Sequence, residues 1–177
     1  MHDEGADGRS EHAGASEPEA SPGQGTILMS HSSNALSVRP IEDCLDPPRI
    51  EELRQELARR GASALPNNDG GDVDELFGDV DDDALDDVLE RLAGEGIGAH
   101  IFLPVEFLGV IDIRGAKCAS TFALLGALKS IRPELGLDEA KSDRPPGLSR
   151  QRSLWKRLHR GACLAEERGL VLELVRF

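Results

Sequence analysis

The closing stretch SRQRSLWKRLHRGACLAEERGLVLELVRF, residues 149–177, decides the fold class. Leu154, Trp155, Leu158, Ala162 and Ala165 return every three or four residues, the spacing of one buried helix face. That spacing predicts a helix from Ser149 to Arg168, and Gly169 supplies the stop. Beyond the glycine the periodicity changes. From Leu170 to Phe177 apolar residues occupy both alternating sets of positions, which predicts a strand that is central in its sheet or well covered. A long amphipathic helix feeding a doubly buried strand needs a sheet with a helical layer against it, an α+β fold.

Working outward from there, residues 138–148 are polar and read as a loop. Upstream, Leu124, Leu125 and Leu128 mark a helix from Phe122 to about Ile131, with Ser120 or Thr121 as its cap and Pro133 beyond its end. Ile101, Leu103, Val105 and Phe107 alternate with Phe102, Pro104 and Glu106, a strand pattern. Pro104 donates no ladder hydrogen bond, which predicts an edge or a bulge at that point. Leu108-Gly109 reads as a turn into a second strand, Val110 to Arg114. The domain expected over residues 96–177 is thus a small sheet in β-β-α-α-β order with helices packed on one face.

Residues 36–95 read as an acidic helical region. Residues 36–46 form a short strand or an extended lead-in. Pro47-Pro48 then opens a helix from Arg49 to Arg60, with Ile50, Leu53 and Leu57 in its stripe and Gly61 after it. Residues 62–71 have loop composition. The stretch Asp72 to Gly94 is the most acidic. Within it Leu85, Val88, Leu89 and Leu92 predict a helix at 82–93, its start enriched in Asp81, Asp82 and Asp83 where the helix dipole favours negative charge. Residues 1–35 are rich in Gly, Ser, Glu, Ala and His, bury too little to offset the entropy of ordering, and read as disordered. Met29 within them is an alternative start of translation.

Composition limits what such a chain can do. Among 177 residues aromatic side chains are 3% and Tyr is absent, so Leu, Val, Ile and Ala must build the core. The net charge of −13 is divided unevenly. Residues 1–97 hold 24 acids against 7 bases, and residues 98–177 hold 9 acids against 13 bases. An acidic chain repels phosphate at long range, which argues against nucleic acid as the partner. Cys44, Cys118 and Cys163 are odd in number and widely spaced, neither a disulfide framework nor a zinc ribbon. The N-terminus lacks the basic start and apolar run of a signal peptide. No apolar run approaches the roughly 20 residues that span a bilayer, so the expected location is the cytoplasm, with no membrane partner.

The stretch Leu103-Pro104-Val105-Glu106-Phe107, then Ser120, Leu124-Leu125, Leu128, Ile131, Pro133 and Leu135-Gly136-Leu137, resembles a group of short bacterial proteins of unknown function. They share a Leu-Pro-x-x-Phe strand, a small-residue turn, a leucine-rich helix and an apolar C-terminal strand. The resemblance covers about residues 98–177 and implies a fold rather than an activity. Where those proteins carry Gly-Ser before the leucine helix, this chain has Cys118-Ala119-Ser120.

Three sets of residues are candidates for chemistry or binding. Asp79, Asp81, Asp83, Asp87 and Glu90 fill positions 1, 3, 5, 9 and 12 of a calcium-binding loop counted from Asp79. Position 6 is Ala84 where a turn glycine belongs, and the leucine stripe asks for a helix, so a solvated helix face is the simpler reading. Cys118 precedes a helix and lies near Arg114 and Lys117, features that lower a thiol pKa and create a reactive thiolate. A base for it, His100 or His159, is not positioned by the sequence, and buried structural cysteines are common. The segment Gly115 to Thr121 lacks the glycine spacing of a phosphate loop and reads as a connecting turn ending in a helix cap.

Arg150, Arg152, Trp155, Lys156, Arg157 and Arg160 make the long C-terminal helix basic, suited to nucleic acid, to an acidic partner or to the chain's own acidic helix, with the internal or protein-protein role favoured. No cofactor is implied. With no catalytic motif and strong charge segregation, the expected function is a non-enzymatic protein-interaction module of the immunity or accessory kind. A thiol-dependent enzyme using Cys118 and divalent-cation binding by Asp79–Glu90 are the alternatives.

Overall fold

A computed structural model describes residues 34–66 and 75–176, with only the backbone described at 75–79 and at 176. The elements run β1 (Asn34–Arg39), α1 (Pro47–Arg59), β2 (Glu75–Val80), α2 (Asp82–Gly94), β3 (Ile101–Leu103), β4 (Ile111–Ile113), β5 (Ala116–Ser120), α3 (Thr121–Ile131), α4 (Ser149–Arg168) and β6 (Val171–Arg176). The fold is α+β, as the closing stretch requires. The six strands among the described residues form one sheet in the order β2-β1-β6-β3-β5-β4. Only β3 and β5 are parallel; every other neighbouring pair is antiparallel.

Local chemistry sets most boundaries. The Asp46 carboxylate accepts the Arg49 N–H at 2.9 Å, and Pro47 and Pro48 occupy the first turn of α1, where no N–H is needed. Asp81 caps α2 through the Ala84 N–H at 3.1 Å, and the Ser120 hydroxyl caps α3 through the Phe122 N–H at 3.2 Å. Gly169, with φ of 66°, ends α4 and turns the chain directly into β6.

The structure corrects several expectations. Asn34 and Ala35 belong to β1, not to the N-terminal tail; the rest of that tail, 1–33, lies outside the described residues. A strand, β2, occupies 75–80, where the density of Asp hid the short apolar run Leu76-Phe77 and Val80. The strand expected across 101–107 ends at Leu103. It is also no edge: β3 lies between β6 and β5, and Pro104 acts by terminating it. The segment expected as a connecting turn, 115–121, is instead β5 and the start of α3. The actual turn is Arg114-Gly115, both at positive φ (52° and 88°), which the two-residue hairpin between β4 and β5 demands. Asp112 holds that turn by accepting the Gly115 N–H at 2.8 Å.

Residues 36–95 and 96–176 share this single sheet. Strand β1 lies between β2 and β6, and the described residues fall within one compact unit. As expected, β6 is central, paired with β1 on one side and β3 on the other.

Helices cover both faces rather than one. Helices α2, α3 and α4 cover the first face, where Leu85, Val88, Leu92, Leu124, Leu128, Leu158 and Ala162 pack against Leu36, Val38, Phe102, Leu172 and Leu174 of the sheet. On the second face Ile50, Leu53 and Leu57 of α1 pack with Ile101, Leu103, Ile111, Ile113, Cys118 and Val171. Strand alternation sends neighbouring residues to opposite faces, so both apolar sets of β6 are used. Arg60 at the end of α1 holds the 104–110 loop by donating to the carbonyls of Leu108 at 2.8 Å and Val110 at 3.5 Å.

Candidate functional site

The helical layer over the first face carries the charged candidates. Within α4, Leu154, Leu158, Ala162 and Ala165 point into the core, as the stripe requires, and Gly161 joins them. A Cβ at Gly161 would come within 2.9 Å of the Leu172 side chain, so the absence of one lets α4 lie close to β6. Trp155 is half-buried; its indole N–H donates to the Leu128 carbonyl at 2.7 Å and its ring stacks on His159 with centroids 5.0 Å apart. It therefore ties α4 to α3 and is not an exposed anchor for a partner.

The basic residues of α4 divide by what holds them. Arg150 meets Asp81 at 2.7 Å, joining the N-termini of α4 and α2. This is the internal pairing between basic and acidic helices that the sequence permits. Arg152 donates to two backbone carbonyls, Leu135 at 3.3 Å and Pro145 at 3.1 Å. Lys156 and Arg160 are exposed and Arg157 is half-buried.

The acidic candidates do not gather round a point. Asp79 lies in β2, with its side chain outside the described residues. Asp81 caps α2, Asp83 is exposed in its first turn, Asp87 pairs with Arg91 at 3.3 Å, and Glu90 is exposed. Because the helix begins at Asp82, these carboxylates wind round a cylinder instead of lining a loop. Among the described residues no group of three or more His, Cys, Asp or Glu is arranged to hold a metal ion.

Cys118 lies in β5, three residues before α3, with its side chain wholly buried among the α1-face residues. Burial pushes its thiol up to about 12, the reverse of the lowered pKa expected from Arg114 and Lys117. Arg114 points away to Glu52 at 2.9 Å, and Lys117 is exposed on the opposite side of the strand. Cys163, exposed on α4, has its Sγ 3.8 Å from His159 Nδ1; partial burial and then Glu166 raise its pKa.

Two features escaped the sequence reading. One is a groove of about 780 Å³ at the end of the sheet, between Leu89 and Ala93 of α2 and Leu174 and Val175 of β6, with His100 and Lys117 on its rim. It arises because β3 is short, which no spacing of residues announces. Beside it Glu173 is paired with Arg39 across β1 and β6. The other is a smaller trough of about 360 Å³ where the 141–146 loop faces the first two turns of α4. Lys141 and Arg144 line it from the loop, and Ser149, Arg152, Ser153 and Lys156 line it from α4. The signal for it was present: six bases fall between Lys141 and Arg157, but in two elements read separately.

Fold and surface together define a small α+β sheet protein whose helical layer is acidic on α2 and basic on α4. No family model, no curated protein and no solved structure matches the chain. No helix among the described residues is long and apolar enough to cross a membrane.

Proposed function

We propose that this protein is a protein-interaction module that works by docking rather than by chemistry, in the manner of small bacterial immunity or accessory proteins. The observation that carries the reading is the charge division of one helical layer. Helices α2 and α4 pack side by side, yet α2 exposes Asp82, Asp83, Asp86 and Glu90 while α4 exposes Lys156 and Arg160. The Arg150–Asp81 pair joins the two helices at their N-termini. Segregated charge steers encounter and fixes orientation with a protein of complementary pattern. The buried, high-pKa thiol of Cys118 gives no comparable support to a thiol enzyme.

The test is capture from a native lysate by the tagged full chain, with the Lys156→Glu/Arg160→Glu variant alongside. A stoichiometric partner held by the parent and lost by the variant is the expected result. An empty capture by the parent removes the basis of the reading.

A further inference from the structure

Several arginines of this protein are neutralised. Arg91, Arg114, Arg132 and Arg150, for example, each meet a carboxylate within 4 Å. The trough between the 141–146 loop and α4 is different. Its lining contains no carboxylate. Arg152 is fixed by the carbonyls of Leu135 and Pro145, and Arg144 Nε donates to the Glu139 carbonyl at 3.4 Å. Neutral oxygens thus orient both guanidinium groups without cancelling their charge. Each guanidinium has five donors, so N–H groups are left over on both. Lys141 and Lys156 have no ion pair among the described residues and are exposed.

From these observations we infer that the trough binds an extended acidic segment of a protein partner, with carboxylates on alternate residues. This rests on the docking reading and names its ligand. The spacing supports it. Arg152 and Lys156 are one i, i+4 step apart on α4, a rise of about 6 Å, close to the roughly 6.8 Å between alternate side chains of an extended strand. The loop supplies Lys141 and Arg144, so one carboxylate meets cations from both elements. Ser149 and Ser153 of α4, also i, i+4, add hydroxyl donors to the lining. Pre-oriented donors lose little entropy on binding, which suits them to a short segment.

The test uses the full chain and a fluorescent eight-residue peptide alternating Glu and Ser, read by anisotropy. A Lys–Ser peptide and an eight-nucleotide oligothymidine run beside it. The glutamate peptide is expected to bind at low ionic strength and to weaken as salt approaches about 0.15 M, where exposed charges are screened beyond roughly 8 Å. Lys141→Glu/Arg144→Glu is expected to weaken it about tenfold, because reversal replaces attraction by repulsion. Arg54→Glu/Lys117→Glu, equal in charge change but on α1 and β5 and outside the trough lining, leaves the affinity within about twofold if local contacts govern it.

Equal loss in both variants would reduce the effect to net charge and overturn the proposal. So would no binding of the glutamate peptide, or tighter trough-dependent binding of the oligonucleotide. A partner captured from lysate with no peptide affinity would sink the trough proposal and leave the docking reading standing. Peptide affinity with no partner captured would do the opposite.

Discussion

The two faces of the sheet are built by different rules. The first is covered by three mutually packed helices, α2, α3 and α4, and all three bury leucines against it. On the second, among the described residues, α1 packs at the β4 end together with Ile41, Leu45, Leu65 and Phe107 of the connecting segments. Under the other end of that face lie polar groups: the Arg39–Glu173 pair and Ser37, whose Oγ is buried without a hydrogen-bond partner among the described residues. The difference teaches where stability and freedom reside. The three-helix face sets the architecture, and the α1 face tolerates polarity that a continuous core would exclude.

The largest expected effect breaks the first face. Phe102, fully buried at its centre, should cost about 3–5 kcal/mol when replaced by Ala, because transfer and cavity terms add. Urea denaturation measures it. The second face is the sharper test. Leu53→Ala should cost about 2–4 kcal/mol in the same cooperative transition if α1 is integral. Unchanged global stability, with faster hydrogen exchange confined to 47–59, would instead mean that α1 opens alone.

Cys118 gives the next effect. Its thiol is raised in the folded state, so its contribution is fully present below the unfolded pKa near 8.5–9 and is lost as pH climbs towards about 12. Stability should therefore fall by up to about 1.4 kcal/mol per pH unit above pH 9 from this group. Cys118→Ala should remove that part of the slope in paired denaturation curves, and a parallel slope would contradict it. In the native protein iodoacetamide should label exposed Cys163 well before Cys118. The smallest effects lie on the seam. Asp81→Ala should cost about 1 kcal/mol through the lost cap, and Arg150→Ala no more than about 0.5 kcal/mol, since its ion pair is exposed. Thermal melts compare the two.

The elements that the sequence revealed are those whose period or stop signal is local. Helix α4, its Gly169 stop, the apolar β6 and a cap at Ser120 or Thr121 all follow from near neighbours. What stayed hidden depends on partners distant in sequence. Strand β2 is paired with β1, and an Asp-rich run conceals it until β1 is beside it. The doubly covered sheet was implicit in the apolar positions of β6, but the stripe of α1 does not say which face it joins. The basic half of the candidate surface was legible in Arg150 to Arg160. Its trough was not, because Lys141 and Arg144 reach it only through the fold of the loop.

One feature of the sheet governs how fast the chain reaches it. Arg39 and Glu173, paired across β1 and β6, are 134 residues apart. Bringing such distant segments together costs roughly 4 kcal/mol of loop entropy before any contact repays it. The middle of the sheet is therefore the last part to be secured, and until β1 arrives the β6 edge stays open to any other strand. Folding should be slow for a chain of this size, and dilution should protect its yield.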